Sequence, residues 1–190
     1  MEINRRGFLK TAGSLALAGS QVPLVARQDK GILVNDVHSG LNPTRVRQVE
    51  AIESLKELQR MIRGSARKGV KISIAGGRHA MGAQQFATDS VLLDTRALGR
   101  ILDFDRERGL VKVEAGIQWP ALVNGLLKAQ QSEKRQWGIR QKQTGADRLS
   151  IGGALGANVH GRGLKMKPLV EDVEAFELVN AKGELLTCSR

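Results

Sequence analysis

Tyrosine is absent from the 190 residues, and the aromatic share is only 3%. Stacking platforms for bases are therefore scarce, which argues against a nucleic-acid partner. A lone cysteine, Cys188, excludes an internal disulfide. With no neighbouring histidine or Cys-x-x-Cys spacing it reads as a small strand residue. No apolar run is long enough to span a bilayer as a stable helix. Acidic residues are few: 19 Asp and Glu stand against 30 Lys and Arg, a formal net charge of +11. Such a charge attracts acidic partners. The basic residues are dispersed rather than banded, however, so a solvated surface plus a basic leader accounts for them. We expect no nucleic-acid partner and no stable transmembrane helix.

What is present supports one sizeable domain. A 41% hydrophobic fraction suits a packed core. The chain opens with Asn4-Arg-Arg-Gly-Phe-Leu-Lys10 and a short Gly/Ala-rich segment. A basic stretch followed by a mildly apolar one reads as a secretory leader over residues 1–30. It resembles bacterial twin-arginine signals, which implies the twin-arginine export machinery as a partner and a periplasmic or exported destination. Ala16-Leu-Ala18 and Val25-Ala26 both offer small residues for cleavage.

The stretch that organises the rest is Lys71 to Gln85. The β-branched run Ile72 to Ile74 predicts a strand. Gly76 and Gly77 then let the backbone turn tightly and approach a ligand closely. Arg78 and His79 follow, and Gly82 closes the loop. Freed consecutive N–H groups form a nest for an anion, here a phosphate or pyrophosphate. The glycines do not fit G-x-G-x-x-G. Only eight residues separate Gly82 from the next strand-like run, Val91 to Asp94, too few for a helical crossover. Both points place the loop outside the Rossmann class.

Upstream, Val34 to Pro43 is rich in turn formers, and Thr44 to Val49 predicts a short strand. Ser54-Leu-Lys-Glu57 is a capping box. Leu55, Leu58, Ile62 and Ala66 predict an inward helix face, ended by Gly69. Downstream, Ile101–Asp105 and Leu110–Glu114 predict a hairpin. Pro120 suits the first turn of a helix whose core face is Leu122, Val123, Leu126 and Leu127. Gln130 to Gln136 reads as a polar surface loop. A second Gly-rich tract runs from Trp137 to Gly163, with Ile151, Leu155 and Val159 suggesting one or two helical turns. Val173–Val179 and Glu184–Cys188 predict a final hairpin.

Ala75-Gly-Gly-Arg-His-Ala-Met-Gly82 resembles the pyrophosphate loop of the PCMH-type FAD-binding domain, found in vanillyl-alcohol oxidase, p-cresol methylhydroxylase and the sugar-lactone oxidases. Ser150-Ile-Gly-Gly153 and Asn158-Val-His-Gly161 resemble that family's second flavin-lining stretch. The resemblance covers residues 35–190 and implies an α+β fold of small mixed sheets with flanking helices. It implies FAD as cofactor, held by Ala75, Gly76, Gly77, Arg78, His79, Ala80 and Met81. Ser150, Gly152 and Gly153 would approach the pyrophosphate or flavin, and Asn158 and His160 the ring system. Asp147 would brace the loop or meet the nucleotide. The implied activity is a flavin-dependent oxidoreductase passing a hydride from an alcohol, sugar or lactone to flavin N5. No catalytic base is assignable. The family's further Gly-rich elements and substrate domain would follow Arg190. We therefore expect a chain incomplete for catalysis, with a small-molecule substrate only once a C-terminal domain completes it. An exported, binding-only fragment without turnover is the alternative.

His79 keeps several readings. In many family members the loop histidine is bonded covalently to the flavin, and His79 occupies that position. A non-covalent loop residue is the competing reading. Metal ligation with His38 and His160 lacks any ligand spacing, and no metal is expected. Arg78 would either offset pyrophosphate charge or point to solvent. His38 is read as structural.

Overall fold

The computed structural model describes residues 31–190 except 144, 162 and 164. The twin-arginine pattern and the rest of the leader lie outside the described residues.

The chain begins with β1 (Ile32–Val34), paired antiparallel with β2 (Thr44–Val46). The predicted strand over 44–49 is divided. Residue 47 breaks it, and β3 (Gln48–Ala51) turns to another sheet. The helix follows as α1 (Leu55–Arg67). Ser54 Oγ accepts from the Glu57 N–H, and Glu57 Oε2 accepts from the Glu53 N–H. The buried face of α1 is Leu58, Met61, Ile62 and Ser65, shifted from the expected one: Leu55 and Ala66 are exposed. Gly69 leaves the helix at φ +61°, the left-handed turn that glycine adopts without strain.

β4 (Ile72–Ala75) and β5 (Val91–Asp94) then form a three-stranded parallel sheet with β3, in the order β3-β5-β4. This corrects the expectation that the eight residues between Gly82 and Val91 leave too short a gap for a parallel connection, because the connection takes in all of residues 76–90. Those residues join the strands as an irregular loop with no helix. β5 is central and buried along its whole length. Val91 and Leu93 face α1 with Ile52 and Ile62, while Leu92 faces Val34, Val46 and Ala75 on the other side. Alternation sends successive side chains to opposite faces, so a strand covered on both sides carries apolar residues at successive positions, here Val91, Leu92 and Leu93, before Asp94 ends it.

The second half builds its own core. β6 (Ile101–Asp105) and β7 (Leu110–Val113) form the expected hairpin, and α2 (Trp119–Ala129) lays Trp119, Leu122 and Leu126 against it. Leu127 is exposed instead. Residues 131–136 after α2 are exposed, as expected of a surface loop, and only Gln130 departs from that reading. Gln130 is 2% exposed, and its amide donates to the Leu126 and Trp137 carbonyls while accepting from the Trp137 N–H. α3 (Ile151–Gly156) buries Ala154 in this core, and a short 3-10 turn, Leu169–Asp172, adds Leu169. β8 (Ala175–Val179) and β9 (Leu185–Ser189) form the last hairpin. Its turn is tied to α1 by Gln59 and Arg63, both donating to the Gly183 carbonyl. The α+β class with small mixed sheets holds.

Candidate functional site: two glycine loops across a seam

The two cores meet where backbone lies against backbone. Gly116 rests on the carbonyls of Thr95 and Leu98; a Cβ there would overlap Thr95 O and stand 2.7 Å from Leu98 O. From this seam two loops converge. The first leaves β4 at Ala75, whose carbonyl accepts from both the N–H and the hydroxyl of Thr95. The second leads into α3 and is held by Ile151 N–H to Ile117 O and Gly152 N–H to Ala115 O, each 2.8 Å.

The loops touch directly. A Cβ on Gly76 would overlap the Ser150 hydroxyl, and one on Gly77 would overlap the Arg148 carbonyl. Gly152 leaves no room either, with Ala115 Cβ 2.8 Å from where its own Cβ would stand. The glycines therefore do permit close approach, but the first thing they admit is the other loop. Ser150 is 3% exposed and its hydroxyl makes no helix-capping bond.

Arg78 differs from both expectations. It neither faces solvent nor stands free as a counter-ion: its Nη2 is 3.1 Å from Asp94 Oδ2, and its side chain is 19% exposed. Asp94 also takes Arg96 at 2.6 Å. Burial alone would raise the Asp94 carboxyl. Hydrogen bonds and charge from Arg96, with the charge of Arg78, override that and hold it below the usual carboxylate range. Two guanidiniums against one carboxylate leave the end of β5 net positive, which suits a diphosphate.

The loop also has unspent donors. Arg78 adopts φ +57°, uncommon for a side chain of its size and typical of an anion nest. None of the backbone N–H groups of Gly76, Gly77, Arg78, His79 and Ala80 donates to a described residue. Among the described residues, the buried Arg78 Nε and His79 Nδ1 have no hydrogen-bond partner. Buried polar atoms of this kind call for a ligand or water.

The His79 ring stands edge-on to the His38 ring, centroids 4.6 Å apart at 69°. Burial, then repulsion from His38, lowers its pKa from the ordinary 6.5, against a hydrogen bond to the Arg148 backbone. Nothing in the sequence around His38 marks it as more than structural, but the contact with His79 shows otherwise. Met81 is exposed, and its carbonyl accepts from the Asn42 amide.

No described hydrogen bond joins Asp147, Asn158 or His160 to the contact between the two loops. Asp147 is exposed and paired with Lys142 at 2.5 Å, which lowers its carboxyl pKa. With Trp119, Pro120, Val123 and Asn124 that pair lines a separate cavity of about 230 Å³. Asn158 and His160 are both exposed; His160 Nδ1 lies 2.9 Å from the Gly161 carbonyl. Among the described residues no three His, Cys, Asp or Glu side chains gather as a metal site.

A small parallel sheet with a helix-free crossover, joined at two glycine loops to a second core, defines a dinucleotide-binding domain outside the Rossmann class. Comparison with known proteins gives the family. Residues 46–189 match the FAD binding domain family, and the chain belongs to it. Its cofactor is FAD, and the unspent N–H groups, the orphaned Arg78 and His79 nitrogens and the positive end of β5 fit that group.

Among curated proteins the chain is 33% identical to L-gulono-1,4-lactone dehydrogenase of Mycobacterium tuberculosis over 70% of its length and 29% of that protein's. It is 27% identical to L-gulonolactone oxidase of Mus musculus over 79% of its length and 32% of the other. It thus spans about a third of the length of the curated relatives it matches. Among solved structures, an alkyldihydroxyacetonephosphate synthase superposes with TM-score 0.61 at 22% identity, covering 75% of this chain and 26% of that one. A glucose dehydrogenase variant of Phl p 4 gives TM-score 0.65 at 17% identity, covering 82% and 32%. These structures share the fold.

Proposed function

We propose that the chain is the FAD-holding part of a flavin-dependent oxidoreductase acting on a sugar lactone or closely related substrate. The observation that carries the reading is the contact of Gly76 and Gly77 with Ser150 and Arg148, which gathers both glycine loops at one seam. The lactone enzymes among the relatives favour that substrate class over the alcohol alternative. When bound, FAD supplies the two-electron chemistry, accepting a hydride at N5.

This chain's own residues bind and orient. The N–H groups of residues 76–80 take the pyrophosphate, aided by the Ser150 hydroxyl and the excess positive charge around Asp94. Gly152 lets the α3 start pack on Ala115, and the exposed Gly153 keeps its outer side free of a side chain, so a flat group can lie close. Asn158 and His160, on the exposed segment after α3, supply polar contacts to the ring system. His79 either bonds to the flavin or packs beside it. The leader, Arg5 and Arg6 included, directs export by the twin-arginine route to the periplasm.

An absorption spectrum of the purified, acid-precipitated protein tests the cofactor reading. Yellow colour in the pellet marks a bond through His79, and yellow in the supernatant a dissociable flavin. A preparation that stays colourless after FAD is added and unbound ligand removed overturns the reading. For export, Arg5→Lys with Arg6→Lys should strand a leader–reporter fusion in the cytoplasm. Unchanged export would defeat that part alone.

A further inference from the structure

His79 is held from two sides, and the second side has no assigned role. The loop of residues 35–42 is built on the Asp36 carboxylate, which is 4% exposed. Asp36 Oδ1 accepts from the N–H groups of His38 at 3.0 Å, Ser39 at 2.6 Å and Gly40 at 3.4 Å. Asp36 Oδ2 accepts from the Ser39 hydroxyl at 2.8 Å and the Asn42 amide at 3.1 Å. A carboxylate with that many donors fixes a loop far more firmly than turn propensity does.

This rigid loop grips the glycine loop at two points. The Val37 N–H donates to the Arg78 carbonyl at 3.0 Å, and the Asn42 amide reaches the Met81 carbonyl. His79 lies between those anchors, and the His38 ring meets it at 4.6 Å. On its other side His79 faces Arg148: a Cβ on Gly77 would overlap the Arg148 carbonyl oxygen and stand 3.0 Å from His79 Cδ2, while among the described residues the buried Nδ1 has no hydrogen-bond partner. A proton on Nδ1 would have nothing to donate to, whereas Nε2, bonded to Cδ2, lies on the Arg148 side, and a neutral imidazole carries only one ring proton.

We propose that the 35–42 loop is a clamp, with His38 as its positioning residue, that holds His79 as the neutral Nε2–H tautomer with a bare Nδ1 lone pair. The purpose rests on the flavin reading: a lone pair that the protein leaves unspent is available to accept a hydrogen bond at the bound flavin. The charged groups around the ring are few. His38 faces it from the clamp; Asp36 is saturated by its own loop. Arg78 adjoins it and is committed to Asp94 with Arg96. Arg148 presents its backbone. A second proton on His79 would meet both poor solvation and His38, so the surroundings favour the neutral ring.

With three histidines in the chain, ring-nitrogen NMR of the full chain without flavin tests this. His160→Gln completes the assignment. The expected spectrum shows His79 protonated on Nε2 and bare on Nδ1 at neutral pH, with its titration below the ordinary histidine range. His38→Leu keeps the clamp's backbone bonds, because His38 enters them only through its N–H. It should move the His79 titration upward. Asp36→Asn weakens the grip and should shift it the same way. A proton on Nδ1 at neutral pH, or a His79 titration unmoved in His38→Leu, overturns the proposal. The flavin reading fails by a different sign, a colourless protein after FAD treatment. A yellow protein with Nδ1 protonated in its flavin-free form would sink the clamp and leave the flavin reading standing.

Discussion

Gly76 and Ser150 oppose each other so closely that a Cβ on Gly76 would overlap Ser150 Oγ and lie 2.9 Å from Ser150 Cβ. Gly76→Ala should therefore destabilise the chain by about 1–3 kcal/mol through overpacking. Gly76→Ala with Ser150→Gly should recover much of that loss, since both clashing atoms go. The Ser150 hydroxyl makes no capping bond whose removal would add a penalty. Urea melts of the four members of the cycle measure the coupling. Simple additivity would show that the loops do not touch in solution.

Gly116→Ala should be harsher and should lack such a remedy. Its Cβ would meet the carbonyls of Thr95 and Leu98. Backbone cannot rotate aside as a serine side chain can, so the two cores must separate. Loss of a single cooperative transition in the melt is the expected result, and a wild-type midpoint would contradict it.

Asp94→Asn removes the charge that Arg78 and Arg96 share. Arg78 is mostly buried and Arg96 is 54% exposed, so about 1–3 kcal/mol is the expected cost. The sign with pH follows. The folded carboxyl titrates below its unfolded value. Its contribution is full above that unfolded value, near pH 4, and fades as pH falls through the folded one. Below that range wild type and Asp94→Asn should converge in melts taken across acid pH.

His79 acts in another window. Its folded pKa is lowered from 6.5, so between the folded value and 6.5 the unfolded chain binds the extra proton. Stability from this group is present above about pH 6.5 and declines below it. His79→Gln should flatten that part of the stability curve. A curve identical to wild type between pH 5 and pH 7, both on the order of the ordinary histidine range, would rule it out.

Gln130→Ala should cost about 1–3 kcal/mol, because the Leu126 and Trp137 carbonyls and the Trp137 N–H lose their buried partner. A loss that small side-chain deletions at the exposed Glu133 do not reproduce would separate this network from ordinary surface change. Equal, negligible losses at both positions would refute it.

Much of this was legible in the sequence, and the remainder has a physical reason for being hidden. Val91-Leu-Leu-Asp94 announces a strand, and its unbroken apolar run anticipates cover on both faces. The parallel pairing of β4 with β5 is not legible, because sequence rules expect a helix in such a crossover and residues 76–90 have none. Gly76, Gly77 and Gly152 announce close approach without saying what approaches. Arg78 looks like a ligand contact until Asp94, brought alongside by the β4–β5 register, claims it. Gln130 looks like surface because one buried amide leaves no periodic trace. The contact of His38 with His79 depends on how a carboxylate folds an eight-residue loop, residues 35–42, back on itself.

The helix-free crossover has a consequence for the order of events during synthesis. A chain that has emerged from the ribosome only through Gly82 carries the phosphate loop's residues but no rigid loop. Its walls arrive much later, with Ala115, Arg148 and Ser150. Contacts so distant in sequence close slowly and late. On the proposed reading, in which both glycine tracts hold the cofactor, the seam is incomplete until more than three quarters of these 190 residues are made, and loading would follow synthesis of the second tract.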